Sequence, residues 1–258
     1  VTDLAPYTVA SISPVVVDSE SLNLILTVNF KYDSNATTSS GEALESLVSS
    51  TITNYNANYL KVFNSVFRHS QFTGLVDATD SAILSNIVTV ALSSLYTPNT
   101  AGSYSFTFNF GNPLYNPHSG HNASGGGVIA STGFYISGNT NEMFFDDDGD
   151  GNLRIYYLVV GIRTYYSVVA GSVNYATGLV SANPVYITSV SNVDGSTSTA
   201  IRMTTTPSST DIAGKRNQIL EIDTLNTTII GSQDTIAVSG SSAGTYTTTS
   251  SYVAPSSY

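Results

Sequence analysis

The sequence predicts an α+β fold: an N-terminal α/β unit of strand, long helix, short helix and strand, followed by a β-rich region of hairpins or a sandwich. Three observations predict it. Apolar and polar residues alternate over residues 22–32, apolar residues recur every three or four positions over 40–68, and short strand-like segments recur after residue 98. With 258 residues, 41% of them hydrophobic, the chain is long and apolar enough to bury a core.

The N-terminal unit, which we place at residues 12–98, begins with a half-buried strand. One face of the segment 22–32 is wholly apolar: Leu22, Leu24, Leu26, Val28, Phe30 and Tyr32. A helix is predicted from about residue 40 to about residue 68, with Ser39 or Ser40 as its N-cap. A shorter helical piece at 71–77 and a strand at 87–92 complete the unit.

The region from 99 to 240 is predicted to be β-rich. Gly, Asn and Asp clusters separate the strand-like segments, which are 104–110, 128–136, 143–145, 153–160, 165–169, 186–190, 218–222 and 235–238. Residues 112–127 form a long Pro/Gly loop. Residues 241–258, nearly all Ser, Thr, Gly and Tyr, are expected to be a flexible tail or an extended arm.

The composition argues against several classes of partner. A net charge of −10 and the lack of any basic run beyond Lys215-Arg216 disfavour nucleic acid and anionic membranes. No apolar run approaches the roughly 20 residues that span a bilayer. The absence of cysteine excludes disulfides, thiolate zinc sites and cysteine nucleophiles.

Catalytic residues are hard to assemble from this sequence. It has three histidines and no cysteine, and its acidic residues concentrate in one turn, although a glycosidase with paired carboxylates stays open. We therefore expect neither an enzyme nor a small-molecule substrate.

That acidic turn carries the sharpest local motif. Asp146, Asp148 and Asp150, followed by Gly151, match positions 1, 3, 5 and 6 of a calcium-binding loop. Position 12, normally a bidentate Glu, is Tyr157, and the flanking segments are predicted strands. The alternative, which these departures favour, is an acidic hairpin turn with no cofactor.

Two further motifs lie in the long loop. His118 and His121 could begin a metal site, but no third ligand lies near them in sequence, so exposed loop histidines are the preferred interpretation. The triplet Gly125–Gly127 lacks the Lys-Ser/Thr of a phosphate-binding loop and leads into a strand, so it predicts no phosphate site.

Adjacent tyrosines suggest an interaction surface. In strands, Tyr156-Tyr157 and Tyr165-Tyr166 must each direct one ring away from the core. Outward tyrosines suit protein interfaces, so all four are interface candidates.

Several segments resemble the C-terminal region of the T4-like phage baseplate wedge protein encoded by gene six. They are LNLILTVNFKYD at 22–33, NSVFRHSQF at 64–72, LVDATDSAIL at 75–84, FDDDGDGNLRIYY at 145–157, GSVNYATG at 171–178 and DIAGKRNQIL at 211–220. Together they cover most of residues 15–225. The family's N-terminal bundle region has no counterpart that we recognise in this sequence.

The resemblance implies a non-enzymatic structural subunit of a contractile tail. Such a subunit forms dimers that close into a ring, contacts other baseplate wedge proteins, is assembled in the host cytoplasm and resides in the virion. The alternative is a secreted or cell-surface β-rich binding module with calcium at the acidic turn.

Overall fold

The computed structural model describes residues 20–193 and 196–235. The helices are α1 Gly41–Tyr59 and α2 His69–Asp77, and a 3-10 turn spans Ala123–Gly125. The strands are β1 Glu20–Tyr32, β2 Val66–Phe67, β3 Ile83–Tyr96, β4 Tyr104–Asn109, β5 Ile129–Ser131, β6 Phe134–Ile136, β7 Met143–Asp147, β8 Asn152–Val159, β9 Ile162–Asn174, β10 Leu179–Val185, β11 Ile187–Val190, β12 Ile201–Thr205, β13 Ile212–Ala213, β14 Gln218–Ile222 and β15 Thr228–Gln233.

The first sheet is built around β1. Its strand order is β14-β1-β3-β12-β5, and β15 also pairs with β1. The predicted apolar face of β1 is confirmed, since Leu22, Leu24, Leu26, Val28 and Phe30 are all buried. Helix α1 buries Leu44, Val48, Ile52 and Tyr55 in the same hydrophobic core.

The start of α1 was predicted correctly, but its predicted end near residue 68 is wrong. The Ser40 hydroxyl accepts a hydrogen bond from Ala43 N, as an N-cap does. The helix ends at Tyr59 because its last six residues, Asn-Tyr-Asn-Ala-Asn-Tyr, are mostly weak helix formers. Lys61 and Asn64 then adopt positive φ angles of 62° and 59°, and the chain re-enters as β2, which pairs with β13.

The second sheet has seven strands in the order β11-β6-β7-β8-β9-β10-β4. The single strand predicted over 128–136 is instead two strands, because β5 belongs to the first sheet and β6 to the second. The chain crosses between the sheets at Thr132 and Gly133. A Cβ at Gly133 would lie 1.9 Å from Glu142 Oε1 and 2.6 Å from Ser191 Oγ, so a larger residue here would require these side chains to move.

The predicted α+β class is confirmed, and both sheets contribute to one hydrophobic core. The first sheet draws β5, β12, β14 and β15 from beyond residue 98. The division into two domains at residues 98 and 99 stays a prediction. The tail at 241–258, most of the strand predicted at 235–238 and the first residues of the unit from 12 onward lie outside the described residues.

Among the residues that the structure describes, no helix is long and apolar enough to cross a membrane. Helix α2 lacks a side-chain cap of its own at Arg68. Asp211 acts in its place from the far end of the sequence, since its carboxylate accepts from His69 N at 2.9 Å and from Arg68 Nη1 at 2.8 Å. The backbone hydrogen bond from His69 and the contact with Arg68 lower the pKa of Asp211.

Replacing Asp211 by Ala should lower the free energy of unfolding by about 1 kcal/mol, the usual loss for an N-cap. Because the Asp211 pKa is lowered in the folded state, this stabilisation is present above the pKa of the unfolded chain and is lost as the pH falls. Denaturant unfolding at pH 7 and at about pH 3 measures both effects. Thr210→Ala, an exposed neighbour without a hydrogen bond of its own, is the control; equal losses in the two variants would contradict the capping role.

Candidate functional site

The acidic turn joins β7 to β8 and directs its carboxylates to different places. Asp146 and Asp147 are consecutive residues of β7, so their side chains leave opposite faces of the sheet. Both are buried, at 1% and 0% relative exposure. A buried carboxylate requires charge pairing or several hydrogen-bond donors, and each of these two has them.

Asp146 is the centre of a charged and aromatic layer on β7, β8 and β9. It accepts from Arg154 Nε at 2.9 Å, Arg163 Nη1 at 3.1 Å and the Tyr165 hydroxyl at 3.1 Å. The Arg154 guanidinium lies 4.3 Å from the centre of the Tyr165 ring. Burial raises the pKa of Asp146, while Arg154, Tyr165 and Arg163 all oppose that rise.

Two tyrosine candidates lie within this layer. The Arg163 guanidinium lies 4.8 Å from the Tyr156 ring centre, and Phe144 stacks on the same ring at 5.5 Å. Tyr165 is half-buried by its contacts with Asp146 and Arg154. Tyr157 packs half-buried against the core from the other face of β8, whereas Tyr166 is 53% exposed. Only Tyr166 of the four has a largely open ring, and their interface role stays a prediction.

Asp147 joins the two sheets. Its Oδ1 accepts from Val128 N and Ile129 N, both at 2.7 Å, and its Oδ2 accepts from Gly149 N at 3.2 Å and the Tyr175 hydroxyl at 2.6 Å. Burial and the bond to Asp147 raise the pKa of Tyr175. The carboxylate thus holds the end of the 112–127 loop and the start of β5 against β7.

The glycine triplet is explained by this arrangement. Gly126 and Gly127 have positive φ angles of 95° and 68°. A Cβ at Gly127 would lie 2.2 Å from Asp147 Cγ, and one at Gly126 would lie 1.4 Å from Arg163 Nη1. The glycine-rich backbone therefore closes over an internal carboxylate and a guanidinium, where phosphate-binding loops close over an external anion.

The carboxylates of the calcium motif do not converge. Asp148 accepts from Asp150 N, Asn152 N and the Asn152 side chain within its own turn, which lowers the Asp148 pKa. Asp150 accepts instead from the Ser119 hydroxyl of the long loop. Across the described part of the chain, no group of three or more His, Asp or Glu side chains is arranged to hold a metal ion. The geometry favours the acidic-turn alternative, and calcium binding stays a prediction.

The most exposed apolar feature is the tip of the β8–β9 hairpin, comprising Leu158, Val159, Val160 and Ile162. These side chains are 50%, 47%, 96% and 71% exposed. Val160 and Gly161 have φ angles of 51° and 80°, which makes a two-residue turn that normally selects Asn-Gly. A β-branched residue is strained at such an angle, so the sequence keeps an exposed Val where Asn would fit better.

The first strand, both helices and β3 lie in a segment that matches a known family. Residues 21–94 match the family model described as baseplate structural protein gp6, C-terminal domain III. This segment is similar to a gp6-type baseplate domain. The resemblance inferred from the sequence is confirmed, and it supports a structural role in the tail baseplate of a virion. No curated protein matches the chain.

Outside residues 21–94, the buried charged residues with the most hydrogen bonds were not recognised from the sequence. Asp147 was treated as a spacer inside the calcium motif, and Arg154 and Arg163 were not singled out. One usable signal was the density of acidic residues beside strands in a chain with only eight basic residues. Buried carboxylates require donors, and the arginines on the next two strands could supply them.

Replacing Asp147 by Asn should lower the free energy of unfolding by about 3 kcal/mol, because the buried charge that accepts from four donors is removed. Tyr175→Phe removes one of those donors and should cost about 1–2 kcal/mol. Denaturant unfolding measures both, and limited proteolysis should cut within 112–127 earlier in the Asp147 variant. Tyr104→Phe, at a tyrosine that is 42% exposed, is the control and should lower the free energy of unfolding only slightly. An equally small decrease in Asp147→Asn would show that the carboxylate does not anchor the loop.

Millimolar CaCl₂ should leave the thermal midpoint unchanged, because Asp146 already contacts two guanidinium groups and the other two carboxylates engage separate partners. Differential scanning calorimetry with CaCl₂ and with MgCl₂ checks this. A calcium-specific rise that grows with concentration and disappears in Asp148→Asn would establish the calcium loop.

Proposed function

We propose that this chain is a non-enzymatic structural subunit of a contractile phage tail baseplate wedge, which self-associates into dimers that close into a ring and docks to neighbouring baseplate proteins. The match of residues 21–94 to a gp6-type baseplate domain carries this proposal. Assembly in the host cytoplasm, before incorporation into the virion tail, follows from the same role.

The surface chemistry supports a role in assembly. Charged residues make up only 10% of the chain, so its contacts depend on hydroxyl, amide and apolar groups. Interfaces that exclude water at their centres are depleted in charge and enriched in tyrosine. The titratable groups of the acidic turn are consumed by ion pairs and backbone donors, which leaves them no catalytic task that the geometry supports.

The hairpin tip is the surface to which we assign self-association. Its four apolar side chains lie together at one end of a two-stranded projection and are open on both sides. Ile162 pairs with Val159 across the turn, so the hairpin tip has regular β-structure up to the turn itself. A contact of this patch with a second copy, repeated by two-fold symmetry, produces an isologous dimer.

The charged and aromatic layer around Asp146 gives the hairpin tip a fixed orientation. Leu158 pairs with Arg163, and Arg163 is held by Asp146 and by the Tyr156 ring. Rigid apolar groups lose little conformational entropy on association, so such a surface is suited to a permanent contact.

The variant Val160→Asn separates association from stability. Asn tolerates the left-handed angle better than Val, so the free energy of unfolding of the monomer should rise by about 1 kcal/mol. The dimer dissociation constant should nevertheless increase about tenfold, as expected for loss of a central apolar contact. Sedimentation equilibrium measures the dissociation constant, and denaturant unfolding at low protein concentration measures the stability.

Leu225→Ser is the matched control, because Leu225 is 95% exposed, nearly the same as Val160, but lies in a different loop. It should leave dimerisation unchanged. A wild-type chain that stays monomeric at high concentration would refute self-association, and equal weakening by both variants would remove the hairpin from the interface.

A further inference from the structure

The long loop brings His118 and His121 into contact on the surface. Nδ1 of His121 lies 3.3 Å from Nε2 of His118, and the two ring planes are nearly perpendicular at a centroid distance of 4.9 Å. Sequence spacing suggested only exposed loop histidines. The structure shows instead two ring nitrogens within 3.3 Å of each other.

One hydrogen bond fixes the chemical state of His118. Its Nδ1 lies 2.9 Å from the carbonyl oxygen of Ser119, which can only accept. The proton of a neutral His118 ring is therefore on Nδ1, and Nε2 presents its lone pair towards His121. A ring N–H bonded to a backbone carbonyl is the arrangement that orients metal-binding histidines.

The separation of the two nitrogens fits a tetrahedral metal ion. With metal–nitrogen bonds of about 2.0–2.1 Å, the edge of a tetrahedron is about 3.3–3.4 Å. The observed 3.3 Å equals that edge, and it exceeds the usual N–H···acceptor length of about 2.9–3.0 Å. When the His121 proton is on Nε2, the two nearer nitrogens both carry lone pairs and are available to one metal ion.

The loop that carries the pair is held in place before any ligand arrives. The Asn116 side chain and Gly120 N both donate to Gly149 O of the acidic turn, and His121 N donates to His118 O. A Cβ at Gly149 would lie 2.5 Å from His121 N, so the loop and the turn are in direct contact. A rigid loop reduces the entropic cost of binding.

The surroundings also favour a cation. Ser119, between the two histidines, donates its hydroxyl to the Asp150 carboxylate. His118 is exposed and His121 half-exposed, so solvent reaches the gap. Within the described residues no third His, Asp or Glu completes the group, so the remaining coordination positions are open to water or to a donor from another subunit.

We propose that His118 and His121 form a two-histidine site for a borderline divalent transition metal ion such as Zn²⁺. Imidazole nitrogens select zinc, copper and nickel over calcium and magnesium, which prefer oxygen ligands. The site is independent of the calcium motif, although both lie where the loop meets the acidic turn. It is also independent of the baseplate role, so either can fail alone.

Isothermal titration calorimetry with ZnCl₂ tests the site in the wild-type chain and in His118→Ala and His121→Ala. One zinc ion should bind per chain, and each variant should weaken binding at least about tenfold. His69→Gln is the control, because His69 contacts Val88 O elsewhere in the fold, and it should retain wild-type affinity. MgCl₂ at the same concentrations should give no binding heat.

A measurement on the wild-type chain protects the test against misfolded variants. The chain has three histidines, so NMR resolves three imidazole rings. Zinc should shift the ring signals of His118 and His121 and leave those of His69 unchanged. No saturable zinc binding up to about 1 mM, or zinc binding that survives both alanine variants, would overturn the proposal.

Discussion

The carboxylate of Asp147 holds the two sheets together where the chain passes between them. Strands β5 and β7 lie side by side at this seam but belong to different sheets, so no ladder of paired strands joins them. The carboxylate supplies the missing bonds by accepting from two consecutive amides, Val128 N and Ile129 N, and the Ser131 hydroxyl accepts from Phe145 N nearby. Burying a charge is costly, and four donors offset that cost here.

The hydrogen bonds to the Asp147 carboxylate determine the path of the long loop where it ends. The loop must bring its last amides to a buried oxygen, which requires the positive φ angles and missing side chains of Gly126 and Gly127. The same loop also contacts the acidic turn, where the Asn116 side chain and Gly120 N donate to Gly149 O. The contact between His118 and His121 lies in the same loop, where His121 N donates to His118 O and Gly120 N donates to Gly149 O.

Periodic features could be predicted from the sequence, and features that depend on partners could not. The alternation in β1 and the spacing along α1 are local, and both predicted elements exist. The end of α1 was missed because the apolar spacing continues through Phe63, Val66 and Phe67, while β13, about 145 residues further on, pairs with the chain there. The single strand predicted at 128–136 was wrong for a similar reason, since the change of sheet at Thr132 and Gly133 depends on distant pairing partners, β12 for β5 and β11 for β6.

The candidate site shows the same division. The Asp-x-Asp-x-Asp spacing was real, but one of its members is a strand residue and the others lie in the turn, so the pleat and the turn direct them apart. The intervening Asp147 proved to be the anchor, a role that depends on amides 18 and 19 residues earlier in the chain. Likewise, two histidines three positions apart gain meaning only once Ser119 O fixes the tautomer of one ring.

The strained backbone at Val160 is held in place by the charged and aromatic layer around Asp146. The strain in a two-residue turn with a left-handed Val is relieved if the register of β8 on β9 slips by one residue, which moves the side chains of the slipped strand to the opposite face. Here a slip would move Arg163 away from Asp146 and from the Tyr156 ring, and would leave a buried carboxylate with fewer partners. The cost of that loss exceeds the strain in one turn, so the register holds and Val160 stays at the tip. The buried carboxylate of Asp146 therefore fixes the orientation of the exposed hairpin tip. A fixed orientation is the property that an assembly contact requires.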